Sequence, residues 1–380
     1  MSGKNGFTRV LLLASTCVAG AWSISHAQVL PSAVANLNVE TFARGLDHPW
    51  SIAFLPDGRL LVTERPGRMR IVGKDGKLSP ALAGIPRVFA SGQGGLLDVA
   101  LDRAYADNQT LYFCYAEPAQ GGARTAVARA RMLDEASPRL DALSVIFRQE
   151  GPLSTSNHFG CRIVQAPDDN LFVTLGEHFV YRDQAQNLAN HLGKIIRVRP
   201  DGSVPSDNPF VGKAGAKAEI WSYGHRNPQG LAFHPSTDKL WEHEHGPRGG
   251  DEINIIEKGK NYGWPVIGYG VDYSGARIHE STHKEGMEQP LWHWTPSIAP
   301  SGMAFYTGEV FNRWRGNLFV GALAGEMLVR LELSGEKVTR EERLLHQLHE
   351  RIRDVRQGPD GALWLATDSS SGRILRVTPK

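Results

Sequence analysis

Apolar and polar residues alternate along this chain in short runs, and the runs come in pairs. Residues 50–63 show the pattern most plainly: Trp-Ser-Ile-Ala-Phe-Leu, the turn Pro-Asp-Gly-Arg, then Leu-Leu-Val-Thr. Related pairs lie at 94–102 with 110–115, at 160–174, at 230–235 with 239–242, at 302–306 with 316–321, and at 354–367. A period of two is that of a strand, and turn residues between two such runs predict a hairpin. Further apolar runs at 68–72, 194–198, 327–331 and 373–377 supply additional strands. Helical periodicity is nearly absent; residues 341–350 are the one segment that predicts a helix. Six units spread over the chain take roughly 59 residues each, more than the roughly 40–50 of compact blades, so the surplus falls in long loops. The expected fold is all-β: a six-bladed β-propeller of four-stranded antiparallel blades with long inter-strand loops. Blades that lean on one another radially leave only short sheet edges. A sandwich would also bury many hairpins, but six similar copies argue against it.

Composition excludes classes without naming an activity. Of 380 residues, 41% are hydrophobic and 22% charged, which supports a packed core and argues against disorder. The high counts of Gly (41) and Pro (22) fit many turns. A net charge of +2 is not the basic footprint of a nucleic-acid binder. Residues 1–27 read as a cleaved export signal: Lys4 and Arg9, a short apolar stretch from Val10 to Trp22, and Ser25-His26-Ala27 before the cut. That stretch is too short to span a bilayer, so no stable membrane insertion is expected and the mature chain is periplasmic or secreted. Residues 28–380 form one propeller domain on this reading. Cys114 and Cys161 then remain, compatible with one disulfide or with two buried thiols.

Polar residues recur just upstream of the first strand of several copies. Gln93 lies nine residues before Asp102, His158 nine before Pro167, Arg226 nine before Pro235, and Arg351 eight before Pro359. In a propeller the innermost strands all start at the same end of the central channel. These side chains should therefore meet at one mouth, as an anion-binding site with a base. The segment 242–254 is dense in carboxylate and imidazole. His243 and His245 share a strand face, as a zinc pair would, but the Gly-Pro turn followed by Asp251 and Glu252 suits a hard cation such as Ca²⁺ better. No nucleophile elbow, phosphate-binding loop or dinucleotide fingerprint is present.

Taken in order, the segments 92–98 (Gly-Gln-Gly-Gly-Leu-Leu-Asp), 157–160 (Asn-His-Phe-Gly), 223–230 (Tyr-Gly-His-Arg-Asn-Pro-Gln-Gly), 244–247, 251–254, 261–265 and 351–355 resemble the soluble quinoprotein aldose sugar dehydrogenases of the glucose/sorbosone dehydrogenase family. The likeness runs from about residue 37 to the C-terminus. It implies pyrroloquinoline quinone (PQQ) as redox cofactor, Ca²⁺, and oxidation of aldoses at C1 to the lactone by hydride transfer to the quinone. His158 matches the general base and Glu177 the carboxylate that orients it, one methylene longer than the usual aspartate. Arg226 matches the arginine beside the quinone oxygens. Gln93, Asn227, Tyr273 and the Ala322-Leu323 backbone match cofactor contacts, and Arg351 and Arg353 match the arginines that hold cofactor carboxylates. Gly246 and Pro247 match the carbonyls that ligate Ca²⁺ under the cofactor, with Glu252 and Tyr262 at a second, structural Ca²⁺ site. Ala324 stands where many relatives carry a lysine. With no haem motif in the chain, electrons must pass to an external acceptor.

Two other readings compete. A Ca²⁺-dependent propeller lactonase needs no redox cofactor, but a lactone does not call for several arginines. A non-catalytic glycan-binding propeller has no use for a histidine base beside them.

Overall fold

The computed structural model describes residues 1–2, 27–134, 137–151 and 154–380, so all but the ends of the expected export signal lies outside the described residues. Six antiparallel sheets make up the chain. Their inner strands are Pro49–Phe54, Leu96–Leu101, Ile163–Gln165, Pro228–Phe233, Pro300–Phe305 and Ile352–Gln357. Each touches the next, and the last touches the first, so the six close a ring. The architecture is a six-bladed β-propeller, as the repeated hairpins predict.

Each strand serves two neighbours, and this explains the apolar content of both its faces. In the first blade Ile52, Leu60 and Val62 pack with Ala362, Trp364 and Ile374 of the last blade. The alternate residues Ala53, Leu61 and Met69 pack with Leu96, Phe113 and Ala126 of the second blade. Period two thus sorts side chains between blade interfaces rather than between core and water.

The second to fifth sheets have four strands each, but the first has three and the last five. The difference has one cause. Leu37–Leu46 comes before the first blade in sequence yet pairs with Gly372–Pro379 at the outside of the last, and Gln28–Leu30 adds an edge beyond it. The first blade's outer place is taken by an irregular segment, in which Ser79 N–H donates to Ile71 (2.8 Å) and Leu82 N–H to Met69 (2.8 Å). The predicted helix at 341–350 is not there. Lys337–Leu344 is an outer strand of the fifth blade, followed by a single 3₁₀ turn at His346–Leu348. Pairing with Met327–Ser334 overrides a weak local helical pattern.

At the centre, Arg162 and Arg356 meet Asp98 and Asp354. Arg162 Nη1 lies 3.1 Å from a carboxylate oxygen of each aspartate, its Nε donates to the Gln229 carbonyl (2.9 Å), and its guanidinium stacks 4.2 Å over Trp50. Arg356 bonds Asp354 (2.9 Å), Asp98 (3.2 Å) and Ser51 (3.2 Å). Each aspartate also accepts a backbone N–H from another blade, Ile163 to Asp98 (2.8 Å) and Ile52 to Asp354 (2.9 Å).

Cys114 and Cys161 form a disulfide, both fully buried, between the second and third blades and three residues from His158. Replacing both with alanine should lower stability by about 2–4 kcal/mol in urea unfolding. Two titratable thiols in unreduced, denatured wild-type protein would contradict the bond.

Candidate active site

All six blades contribute to one end of the channel, because each inner strand starts there. Trp50, Gln93, Gly160, Gln229, Ala299 and Arg353 come from or just before the six inner strands, and all line one cavity of about 360 Å³. Arg65, His245, Tyr273, Leu323, Arg351 and Asp368 complete its wall. The convergence expected from the polar offsets is therefore present for Gln93, Arg351 and the His158 loop.

His158 is buried, and its Nδ1 lies 2.7 Å from Glu177 Oε2. The longer carboxylate arm does not prevent the contact. Burial pushes the imidazole below its ordinary pKa, with Arg226 adding to the effect and Glu177 opposing it. Burial alone would raise the Glu177 carboxyl, but His158 and Arg226 hold it below its ordinary value. At neutral pH the pair is thus a carboxylate accepting from the Nδ1–H of a neutral imidazole, and Nε2 keeps its lone pair.

The backbone around this pair is strained. His158, Cys161, His178 and Phe179 all have positive φ, between 54° and 79°. Such conformations cost roughly 1–3 kcal/mol each and persist only where the surroundings enforce them. Here Gln93 Oε1 accepts the His158 N–H (2.9 Å), Thr155 Oγ1 donates to the His178 carbonyl (2.8 Å), and Glu177 Oε2 accepts the Phe179 N–H (2.6 Å). Gly176 is required because a Cβ there would run into the His158 carbonyl.

A second cavity of about 380 Å³ adjoins, lined by Glu177, Phe179, Arg182, Arg226, Asp272 and Tyr273 among others. Tyr273 borders both cavities and is half-exposed. Arg226 Nη1 donates to the carbonyls of His245 (3.0 Å) and Gly246 (2.9 Å), its backbone N–H bonds Glu244, and its guanidinium lies 5.2 Å over Trp264. Asn227 Oδ1 accepts from Gly160 N–H (3.1 Å). Arg351 and Arg353 do share one anion, Asp368 Oδ2, at 3.3 and 2.9 Å, and Arg351 also donates to the Leu323 carbonyl (3.1 Å). Ala322 is fully buried in its strand ladder and lines neither cavity, Leu323 lines the first, and Ala324 is exposed.

The four expected metal residues also come together. Gly246, Pro247, Glu252 and Tyr262 line a void of about 20 Å³, room for one water or one ion. Asp251 Oδ1 holds the Gly246 N–H (2.8 Å) and so shapes the turn. The zinc pair is not supported. His243 is fully buried with neither ring nitrogen bonded, whereas His245 faces the cavity wall and its Nε2 bonds the Pro300 carbonyl (2.6 Å).

The donor set fits a flat polyanion. Three arginines line the first cavity against one carboxylate, and the buried Arg226 Nε, Asn227 Nδ2 and Arg353 Nε have no protein acceptor. A model for glucose/sorbosone dehydrogenases matches residues 46–376. The chain belongs to the glucose/sorbosone dehydrogenase family. Within that family it is 47% identical over 361 residues to aldose sugar dehydrogenase YliI of Escherichia coli (strain K12), covering 94% of this chain and 97% of that one. Among solved structures, the apo-form of the soluble aldose sugar dehydrogenase from Escherichia coli superposes with a TM-score of 0.88 at 46% identity, over 90% of this chain and all of that one. The PQQ-bound aldose sugar dehydrogenase of Streptomyces coelicolor gives 0.75 at 31% identity, over 91% and 99%.

Sequence reasoning missed Trp50, Arg65, Asp368 and the Arg182–Asp272 pair (3.8 Å). Trp50 and Asp368 were within reach, since one opens the first repeat and the other follows the last. Glu177→Gln should leave the fold intact but lower turnover roughly 10–100-fold, as when the partner orienting a functional imidazole is removed. If His158 takes a proton during turnover, the wild-type acid limb should lie below the ordinary imidazole value of 6.5, because burial holds His158 below it. A limb above that value would show that the imidazole is charged at rest.

Proposed function

We propose that this protein is a PQQ-dependent aldose sugar dehydrogenase that oxidises the C1 position of an aldose to the lactone and passes the electrons to an external acceptor. The observation that carries the reading is the buried, neutral His158 poised by Glu177 beside a cavity rich in arginine and in unpaired buried donors. When bound, PQQ would supply a two-electron acceptor for the C1 hydride and Ca²⁺ a Lewis acid beside it. The chain's own residues do the rest. His158 Nε2 takes the proton of the anomeric hydroxyl, and Glu177 holds the ring through Nδ1 and stabilises its charged form. Arg226 brings a fixed positive charge to where negative charge develops. Arg351 and Arg353 hold cofactor carboxylates by guanidinium forks, and Gln93, Asn227, Tyr273 and the Ala322-Leu323 backbone line the cofactor. Gly246 and Pro247 would offer carbonyls to a Ca²⁺ at the cofactor, and Glu252 and Tyr262, which line the same one-ion void, would complete that site or hold a structural ion beside it.

Residues 1–27 direct export and 28–380 form the catalytic propeller. The buried disulfide accords with an oxidising compartment, and no helix among the described residues is long and apolar enough to cross a membrane.

The test is dye reduction by metal-free protein supplied with PQQ, Ca²⁺ and an aldose. Activity should need all three, and activity in a sample verified free of PQQ and Ca²⁺ would refute the reading. His158→Gln should keep PQQ binding, followed by absorbance, while losing about 10²–10⁴-fold in turnover. Near wild-type turnover would place the base elsewhere. Arg353→Ala should weaken PQQ binding by about 1.5–3 kcal/mol, the value of a charged hydrogen bond. Saturating PQQ should restore most turnover; unchanged affinity with collapsed turnover would put Arg353 in the chemistry instead.

A further inference from the structure

One cluster of buried charge is not used by the reaction described above. Strands Leu240–Glu244 and Asp251–Ile256 pair so that Glu242 faces Asn254 and Glu244 faces Glu252. By strand alternation these four side chains share a face with Leu240 and Ile256, which pack against Phe172 and Ile195 of the third blade. The carboxylates therefore lie between two blades. Glu242 is fully buried, Glu244 nearly so, and ligand-type atoms of Glu242, Glu244 and His225 all fall within 4.8 Å of one another.

The arrangement has too many acceptors. Glu242 Oε2 takes the Asn254 amide N–H (3.2 Å), but Glu242 Oε1 has no partner. Asn254 Oδ1, 1% exposed, has none either. Among the described residues no lysine or arginine is within ion-pair range of Glu242. A buried carboxylate oxygen and a buried amide oxygen on two facing, hydrogen-bonded residues, both unpaired, each forfeit hydration without return. Burial, and after it the charge of Glu244, pushes the Glu242 carboxyl well above its usual range, so protons are the competing occupants. His225 is satisfied on both ring nitrogens, by Ser222 Oγ (2.8 Å) and Glu244 Oε1 (3.2 Å), and stacks on Tyr262 (4.8 Å). It orients Glu244 and leaves an all-oxygen donor set, which selects a hard cation over zinc.

We propose that Glu242, Glu244 and the Asn254 amide oxygen form an interblade site for a hard divalent cation of the Ca²⁺ type, separate from the void lined by Gly246, Pro247, Glu252 and Tyr262, which it adjoins through Glu244. The site buttresses the reaction centre from behind, since Glu244 also accepts the backbone N–H of Arg226.

The test uses full-length protein stripped of metal, without PQQ or sugar, so its outcome is independent of the redox reading. Tightly bound Ca²⁺ is counted by calorimetric titration and elemental analysis, and melting is followed with and without Ca²⁺. Glu242→Gln should bind one Ca²⁺ fewer than wild type, and its metal-free form should melt at or above the wild-type temperature because an uncharged isostere replaces a carboxyl that must otherwise be protonated to stay buried. Asn254→Ala, which alters no charge, should weaken the same equivalent at least tenfold. Glu252→Gln should retain that equivalent, and the Glu242→Gln, Glu252→Gln double variant should lose one more than either alone. An unchanged Ca²⁺ count in both Glu242→Gln and Asn254→Ala would mean that the carboxylates are held by protons and would overturn the proposal. So would a double variant that loses no more than Glu252→Gln, because all the carboxylates would then serve one site.

Discussion

The Arg162–Asp98–Asp354–Arg356 cluster is the constraint on which the other features depend. Two positive and two negative side chains from three blades, with Trp50, Ser51 and the Gln229 carbonyl from two more, meet on the axis of the ring. Apolar packing between blades is non-directional and would tolerate small rotations of one blade on another. Charges this buried tolerate little, because losing one partner strands the other without solvation, at roughly 3–5 kcal/mol. The inner strands are therefore registered by electrostatics as well as by packing. The cluster begins one to three residues past the cavity-lining positions: Trp50 is followed by Ser51, Leu97 by Asp98, and Arg353 by Asp354. Fixing the cluster fixes the cavity above it.

That rigidity lets the His158 loop hold an unfavourable backbone. Four residues with left-handed φ surround one imidazole–carboxylate pair: His158 is held by Gln93, Cys161 by the Thr174 carbonyl, His178 by Thr155, and Phe179 by the Glu177 carboxylate of its own segment. The disulfide at Cys161 secures the far end of the same loop. In exchange the imidazole is dry, neutral and aimed by its carboxylate before any substrate arrives. Opposite charges are arranged with the same care in the cavity wall, where Asp368 keeps Arg351 and Arg353 side by side.

Much of this was legible in the sequence, for physical reasons. Period-two hairpins marked all six inner strands, because strand alternation survives even where both faces are buried. The shared offset of Gln93, His158 and Arg351 told where their loops meet, because a ring of parallel inner strands has one starting end, whereas Arg226, at the same offset, lines the adjoining cavity instead. What could not be read was long-range. Nothing local says that residues 37–46 pair with 372–379, or that Asp98 finds Arg162 and Arg356. The disulfide was open because 47 residues separate its halves. The apparent helix at 341–350 failed because a neighbouring strand decided the matter. Arg182 opens a five-residue 3₁₀ helix and Asp272 lies in a turn, elements too short for a sequence pattern to mark.

The pairing of Leu37–Leu46 with Gly372–Pro379 bears on how the molecule is made. One of the earliest strands to emerge has only the three-residue edge Gln28–Leu30 beside it until nearly the whole polypeptide exists. The last blade, and with it the closed ring, cannot form on a partial chain, so contacts of very high sequence separation are completed at the end. Ring closure therefore waits on the C-terminal strand, however early the other blades take shape.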